Sequence, residues 1–174
     1  VMKSKIHLIM PMGGMGHRFK EKGINTPKPL IEINNKPFFW WATESIAKFV
    51  DVDITFVVLK YHVDNFNIDK IIKKYYPNAN VVIIPDVLNG AVLTCLEGLD
   101  HITDNYPIIF NDCDHLFKCS AFNEYCKKGE FTEIDGALLT FKADDSKFSY
   151  LKYNDEGKII GTIEKEVVSS DAIC

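Results

Sequence analysis

The chain has 174 residues, 47% of them hydrophobic and 25% charged, which is the make-up of a globular domain able to bury a sizeable core. Its formal net charge is −4, with Lys and Arg spread along the chain, so the basic footprint of a nucleic-acid binder is absent. No apolar run approaches the length of a membrane span, and no segment ahead of the first strand reads as a targeting signal, so a cytoplasmic setting is expected.

In chain order, the apolar run Ile6 to Met10 predicts a buried strand, followed by Pro11-Met12-Gly13-Gly14-Met15-Gly16-His17-Arg18-Phe19. Residues 30–33 read as a short extended piece ending in an Asn34-Asn35 turn. Pro37 suits the first position of a helix to about Val50, with Phe38, Trp41, Ile46 and Phe49 as its apolar stripe. Residues 54–59 are a continuous β-branched run, as in a parallel strand covered on both faces. A helix over 64–75 places Ile68, Ile71, Ile72 and Tyr75 on one face, and a strand over 81–84 follows. Asn89 or Gly90 opens a helix carrying Val92, Leu96, Leu99 and Ile102 at helical spacing. Residues 107–110 predict a strand that ends at Asn111-Asp112-Cys113-Asp114. Ser120 is the expected cap of a helix to about Lys128, and 137–141 the next strand. Residues 149–153 and 158–164 flank the turn Asn154-Asp155-Glu156-Gly157 as a hairpin, and Ala172-Ile173-Cys174 reads as the start of one more strand.

This alternation predicts a mostly parallel sheet with helices on both faces and a late antiparallel addition. The expectation is a single domain over 1–174 without repeat or linker, continuing past Cys174. Cys95, Cys113, Cys119, Cys126 and Cys174 form no Cys-x-x-Cys pair and are odd in number, which fits free thiols in a reducing compartment.

In such sheets ligands bind past the carboxyl ends of the strands, where the glycine loop, Asn89-Gly90-Ala91 and Asp112–Asp114 all fall. Glycines at 13, 14 and 16 remove the side chains that would keep an anion from the backbone, and Arg18 and Lys28 add two positive charges. Backbone N–H groups from Met12 through Gly13, Gly14, Met15 and Gly16 to His17 can cradle a polyphosphate. Asp114, then Asp112, are the candidate ligands for Mg²⁺, which takes one or two carboxylates and completes its shell with phosphates and water. Cys113 and His115 raise zinc as an alternative, but no matching His or Cys pair supports it. Gly90 and Ala91 leave room for a flat base. Gly136 leaves room for a sugar ring, Glu164 can accept from sugar hydroxyls, and Lys165 can neutralise a second phosphate.

These residues resemble the sugar nucleotidyltransferases, the pyrophosphorylases that make nucleotide sugars. The resemblance is carried by Gly14-Met15-Gly16-His17-Arg18-Phe19, Pro27-Lys28-Pro29-Leu30, Gly90-Ala91, Asp114 and Glu164-Lys165, in order along nearly the whole chain. His17 departs from the family's small hydroxyl residue, and the family's second metal-binding aspartate is expected beyond residue 174. The resemblance implies a three-layer α/β/α sandwich of the glycosyltransferase-A-like kind. It also implies transfer of a nucleotidyl group from an NTP to a sugar 1-phosphate, releasing pyrophosphate. Catalytic roles would fall to Arg18, Lys28 and Lys165, and acceptor binding to Gly136, Glu164 and Lys165. Cell-surface polysaccharide supply is the family's usual setting. Three alternatives stand beside it: cytidylyl transfer to a phosphorylated non-sugar such as phosphocholine, a glycosyltransferase using Asp112-Cys113-Asp114 as Asp-x-Asp, and a non-enzymatic nucleotide-binding module. The partners are then small molecules, with self-association into a homo-oligomer left open.

Overall fold

The computed structural model describes residues 6–129 and 135–173, in two compact units spanning 1–130 and 131–174. The first unit is built on a four-stranded sheet of order β5-β4-β1-β6, parallel throughout. Its strands are β1 (Ile6–Met12), β4 (Val52–Leu59), β5 (Asn80–Ile84) and β6 (Ile108–Phe110). The two central strands are the near-continuous apolar runs of the sequence, because both of their faces are covered.

On one face Met10, Met12, Phe56 and Val58 pack against Phe39 and Ala42 of α2 (Phe38–Ala47) and Ile68 and Ile72 of α4 (Ile68–Tyr75). The Phe39 ring stands edge-on to Phe56 at 5.5 Å and to Tyr75 at 5.9 Å, contacts worth roughly 0.5–1.5 kcal/mol each beyond area burial. On the other face Ile9, Val57, Leu59 and Ile84 are covered by Leu88, Leu99 and Ile102, which flank α5 (Ala91–Glu97). The unit is therefore three layers deep, with every strand's carboxyl end at one edge. Among the described residues no helix is long and apolar enough to cross a membrane.

Several sequence expectations are corrected here. Pro37 is the cap before α2, in extended conformation with ψ 156, and the helix starts at Phe38. Pro37 instead ends β3 (Lys36–Pro37), paired with β2 (Glu32–Ile33) across Asn34 and Asn35, whose φ values of 52 and 60 form the predicted turn. The buried face of α2 is Phe39, Ala42, Thr43 and Ile46. Trp41 faces away, where its indole N–H donates to the Ile33 carbonyl at 2.9 Å, and Phe49 lies past the helix end, 40% exposed.

The helix expected over 64–75 is two, α3 (Lys60–Phe66) and α4, broken at Asn67 with φ 51. Asn tolerates the left-handed conformation, so one residue turns the chain without disturbing the apolar spacing. The helix expected to reach Ile102 ends at Glu97. Its predicted stripe residues Val92 and Leu96 are 73% and 50% exposed, while Thr94 is buried. In α6 (Ser120–Lys128) the cap is Cys119, whose Sγ accepts the Phe122 N–H, and Ser120 is the first helical residue. The strand expected from 137 begins only at Thr140.

The second unit is an antiparallel sheet of order β7-β10-β8-β9. It comprises β7 (Thr140–Lys142), the predicted hairpin β8 (Ser149–Tyr153) and β9 (Ile159–Glu164), and β10 (Asp171–Ile173). Cys174, the last residue of the strand expected there, lies outside the described residues. Among the second unit's described residues Tyr150, Leu151 and Ala172 are buried, and the Tyr150 hydroxyl donates to the Asp145 carbonyl at 2.8 Å. The antiparallel addition thus forms its own sheet among the described residues.

Candidate active site

The loops after β1, β5 and β6 meet in an open cleft of about 270 Å³ at the carboxyl edge of the parallel sheet. From β1 come Met12, Gly13 and Gly14. Lys28 and Pro29 follow from a short 3₁₀ turn, Lys28–Leu30, entered through extended Pro27. The opposite wall is Val87, Leu88, Gly90, Ala91 and Thr94, and the floor is Asp112, Cys113 and Asp114.

Two glycines are required by geometry. A Cβ on Gly13 would lie 2.9 Å from Ile84 Cδ1 and 3.0 Å from Thr94 Cγ2, so the loop presses onto the sheet only because it lacks one. Gly90 holds φ 109 and ψ 159 at the start of α5, a region open to glycine alone. That conformation turns the chain so that Gly90 and Ala91 present bare backbone to the cleft.

The acidic floor is set from beneath. Asn111, buried, donates through Nδ2 to the His115 carbonyl at 3.1 Å and the Ala42 carbonyl at 3.4 Å, and the His115 N–H donates to the Asp112 carbonyl at 3.1 Å. Cys113 points inward and is buried, so its two flanking carboxylates reach the cleft. Across that floor Lys28 Nζ lies 2.7 Å from Asp114 Oδ2, with both side chains about a third exposed (31% and 30%).

Thiol chemistry is disfavoured. Burial pushes the Cys113 thiol up to about 12, against the opposing pull of the Lys28 charge. Burial, with the Asp112 charge, pushes Cys95 up to about 11. Both stay protonated near neutrality and are poor nucleophiles.

The donor set fits a divalent cation. Asp112, Asp114 and His115 each offer one ligand atom, all within 4.8 Å of one another. Ligands of one ion bound at about 2.1 Å lie at most roughly 4.2 Å apart, so a small closure of the turn suffices.

Met12, Gly13, Gly14, Lys28, Gly90, Ala91, Asp112 and Asp114 are thus brought together as the sequence suggested. Others of the predicted set do not line the cleft. Met15 packs against the core on the α5 side, Gly16 caps α1 (His17–Lys20), and His17 and Arg18 are exposed on that helix. Asn89 is exposed between two lining residues. Gly136, Glu164 and Lys165 belong to the second unit. There Glu164 and Lys165 pair at 3.0 Å. Lys165 holds a left-handed φ of 58, its N–H donating to the Phe148 carbonyl at 3.0 Å. Thr94, Val87 and Leu88 were not singled out by sequence. The Thr94 hydroxyl is the one signal available, a polar residue on the face of α5 that turns out to be buried.

No family model matches the chain. Mannose-1-phosphate guanylyltransferase catalytic subunit beta of Drosophila melanogaster is 26% identical over 163 residues, covering 88% of this chain and 42% of the relative. The chain therefore spans less than half the length of that curated relative. Among solved structures, a nucleoside-diphosphate-sugar pyrophosphorylase from Vibrio cholerae aligns with TM-score 0.69 at 22% identity, over 95% of this chain and 70% of that one. A Bacillus anthracis structure named for glucose-1-phosphate thymidylyltransferase gives 0.78 at 20% identity, over 97% and 68%. The inositol-1-phosphate CTP transferase of T. maritima gives 0.69 at 16% identity, over 99% and 68%. These relatives in sequence and in fold are nucleotide-sugar pyrophosphorylases and related phosphate nucleotidyltransferases, and the chain carries their glycosyltransferase-A-like α/β fold.

Proposed function

We propose that the chain carries the nucleotide-binding and catalytic cleft of a nucleotidyltransferase joining an NTP to a sugar 1-phosphate, giving an NDP-sugar and pyrophosphate. The observation that carries this reading is the Lys28–Asp114 pair at 2.7 Å across a cleft walled by Gly13 and Gly14. Bare backbone, an ammonium and a carboxylate floor are what a metal-bound polyphosphate needs.

In the proposed reaction a phosphate oxygen of the acceptor attacks the α-phosphorus, the bond from that phosphorus to the bridging oxygen breaks, and pyrophosphate leaves with the electron pair. The second pKa of a phosphomonoester is about 6, so the nucleophile is already anionic and no general base is required. Catalysis is then positioning plus neutralisation of charge. Backbone at Gly13 and Gly14 receives the phosphates, and Lys28 leaves Asp114 to neutralise the departing pyrophosphate. Arg18, exposed on α1, is assigned a second cation's role at the polyphosphate end. Gly90 and Ala91 seat the base. Gly136, Glu164 and Lys165 are assigned to the acceptor. Asp114 and Asp112 would hold the divalent ion, Mg²⁺ by expectation, which when bound supplies charge neutralisation at the phosphates. The proposed setting is nucleotide-sugar supply in the cytoplasm, for surface polysaccharide.

A second reading keeps the chemistry and changes the acceptor. The fold neighbour named an inositol-1-phosphate CTP transferase aligns over 99% of this chain, which favours testing a cytidylyl transfer to a phosphorylated non-sugar. The glycosyltransferase reading is disfavoured, because Asp114 is engaged by a lysine beside a glycine loop that such enzymes do not need. The test is pyrophosphate release measured across the common NTPs, each with sugar 1-phosphates, inositol 1-phosphate and phosphocholine. Release with one NTP and one acceptor class is expected. A chain that binds NTP yet releases no pyrophosphate with any acceptor would overturn the proposal.

A further inference from the structure

Beside the acidic floor of the cleft, one residue past Asp114, lies a side chain that the proposed reaction does not use. His115 places a ring nitrogen within 4.8 Å of the ligand oxygens of both Asp112 and Asp114. Its backbone is held on both sides of the peptide: its carbonyl accepts from buried Asn111, and its N–H donates to Asp112. Residues 112–115 therefore form one turn whose three donors are two carboxylates and an imidazole. A positive charge already sits on this turn, the Lys28 ammonium on Asp114.

We propose that His115 is a third ligand of the divalent centre and shifts its preference from Mg²⁺ toward first-row transition ions. The proposal rests on the reading of the cleft as a metal-assisted nucleotide site. Mg²⁺ is hard and is satisfied by one or two carboxylates with phosphate and water, so an imidazole adds little to it. Imidazole nitrogen suits Co²⁺, Ni²⁺ and Zn²⁺, and affinity for a mixed nitrogen–oxygen site rises along the series from Mn²⁺ to Co²⁺ and Ni²⁺. Two oxygens alone would not separate these ions from Mg²⁺ as far as two oxygens and a nitrogen do. The zinc alternative raised by the sequence lacked a distant His or Cys. The third donor is instead supplied locally, one residue after Asp114.

The test uses the full chain, stripped of metal with a chelator, without nucleotide. Co²⁺ is titrated and followed by its visible absorption, with Mg²⁺ affinity obtained by competition. In His115→Ala the Co²⁺ affinity should fall by at least the roughly 10–100-fold that even an outer partner of a metal ligand contributes, with loss of the nitrogen-ligand spectrum. Mg²⁺ affinity should change far less. His115→Gln, which keeps size and polarity, should behave like Ala, and circular dichroism checks that each variant is folded. Equal Co²⁺ affinity and an unchanged spectrum in either folded variant overturn the inference. Pyrophosphate release is assayed separately on the parent chain. A His115-dependent Co²⁺ spectrum in a chain that never releases pyrophosphate upholds the ligand and removes the nucleotidyl-transfer reading. Turnover with a metal preference identical in parent and variant does the reverse.

Discussion

The two ends of the parallel sheet carry similar polar residues and treat them differently. At the amino end, His7 Nε2 lies 2.9 Å from Asp104 Oδ1, which also accepts the Tyr106 N–H, and His101 Nε2 sits 3.1 Å from Thr55 Oγ1 and 3.2 Å from the Asn80 amide. These groups hydrogen-bond one another, tying the loop residues to the strands. At the carboxyl end, Gly13, Gly14 and Gly90 present backbone to an open cleft, and Asp112 and Asp114 face it, with Lys28 paired to Asp114. Polar residues at the first end bind one another, and those at the second line the cleft assigned above to a ligand. Charge and residue type alone do not separate the two cases; the lining of a cleft by bare glycine backbone does.

Substitutions at either end test that contrast. The largest effect is expected from Lys28→Ala, which should lower turnover by ~10²–10³, the usual cost of removing one preorganised donor to developing charge. The same change frees Asp114 of its ammonium, so metal affinity of the nucleotide-free chain should rise, a direction that titration with Mn²⁺ or Co²⁺ reads directly. Next comes Gly13→Ala. Its methyl meets Ile84 and Thr94 at 2.9–3.0 Å, so urea unfolding should report a loss of about 1–3 kcal/mol together with weaker NTP binding. At the opposite end, His7→Leu should lose about 1–2 kcal/mol of stability and leave turnover at the parental value. A parental melting curve with impaired turnover would invert the comparison.

The smallest effect is a pH dependence. His62, buried on α3, has its pKa lowered from 6.5 by burial and by the charge of Lys20, and its Nδ1 has no hydrogen-bond partner. The unfolded chain takes up a proton near 6.5 that the folded chain resists, so stability is full above that pH and falls as pH drops below it. In His62→Gln the urea midpoint should vary less between pH 7.5 and 5.5, values about one unit either side of the ordinary imidazole pKa.

Much of the cleft's lining was legible in the sequence, because its parts sit at strand ends that continuous apolar runs announce. Ile54 to Leu59 could be little else than a covered strand, and Asp112 and Asp114 follow directly on the run that ends at Phe110. The pairing of Lys28 with Asp114 was not legible, since the two are far apart in sequence and meet only through sheet order. Val92 and Leu96 misled by spacing: they repeat at helical period yet face outward, while Thr94 is buried under Gly13. The break at Asn67 escaped because a single left-handed residue leaves the periodicity intact. The imidazole beside the two carboxylates was visible in the sequence, but only the turn geometry brings its nitrogen into range.

Lys165 closes β9 in a left-handed conformation that costs an L-residue roughly 1–2 kcal/mol and costs glycine almost nothing. Thermal robustness and the ε-amino group are therefore in conflict at that one position. A laboratory selection for heat resistance alone would drift toward glycine there and discard the cation, so a thermostable library built to preserve the proposed acceptor site would hold residue 165 fixed.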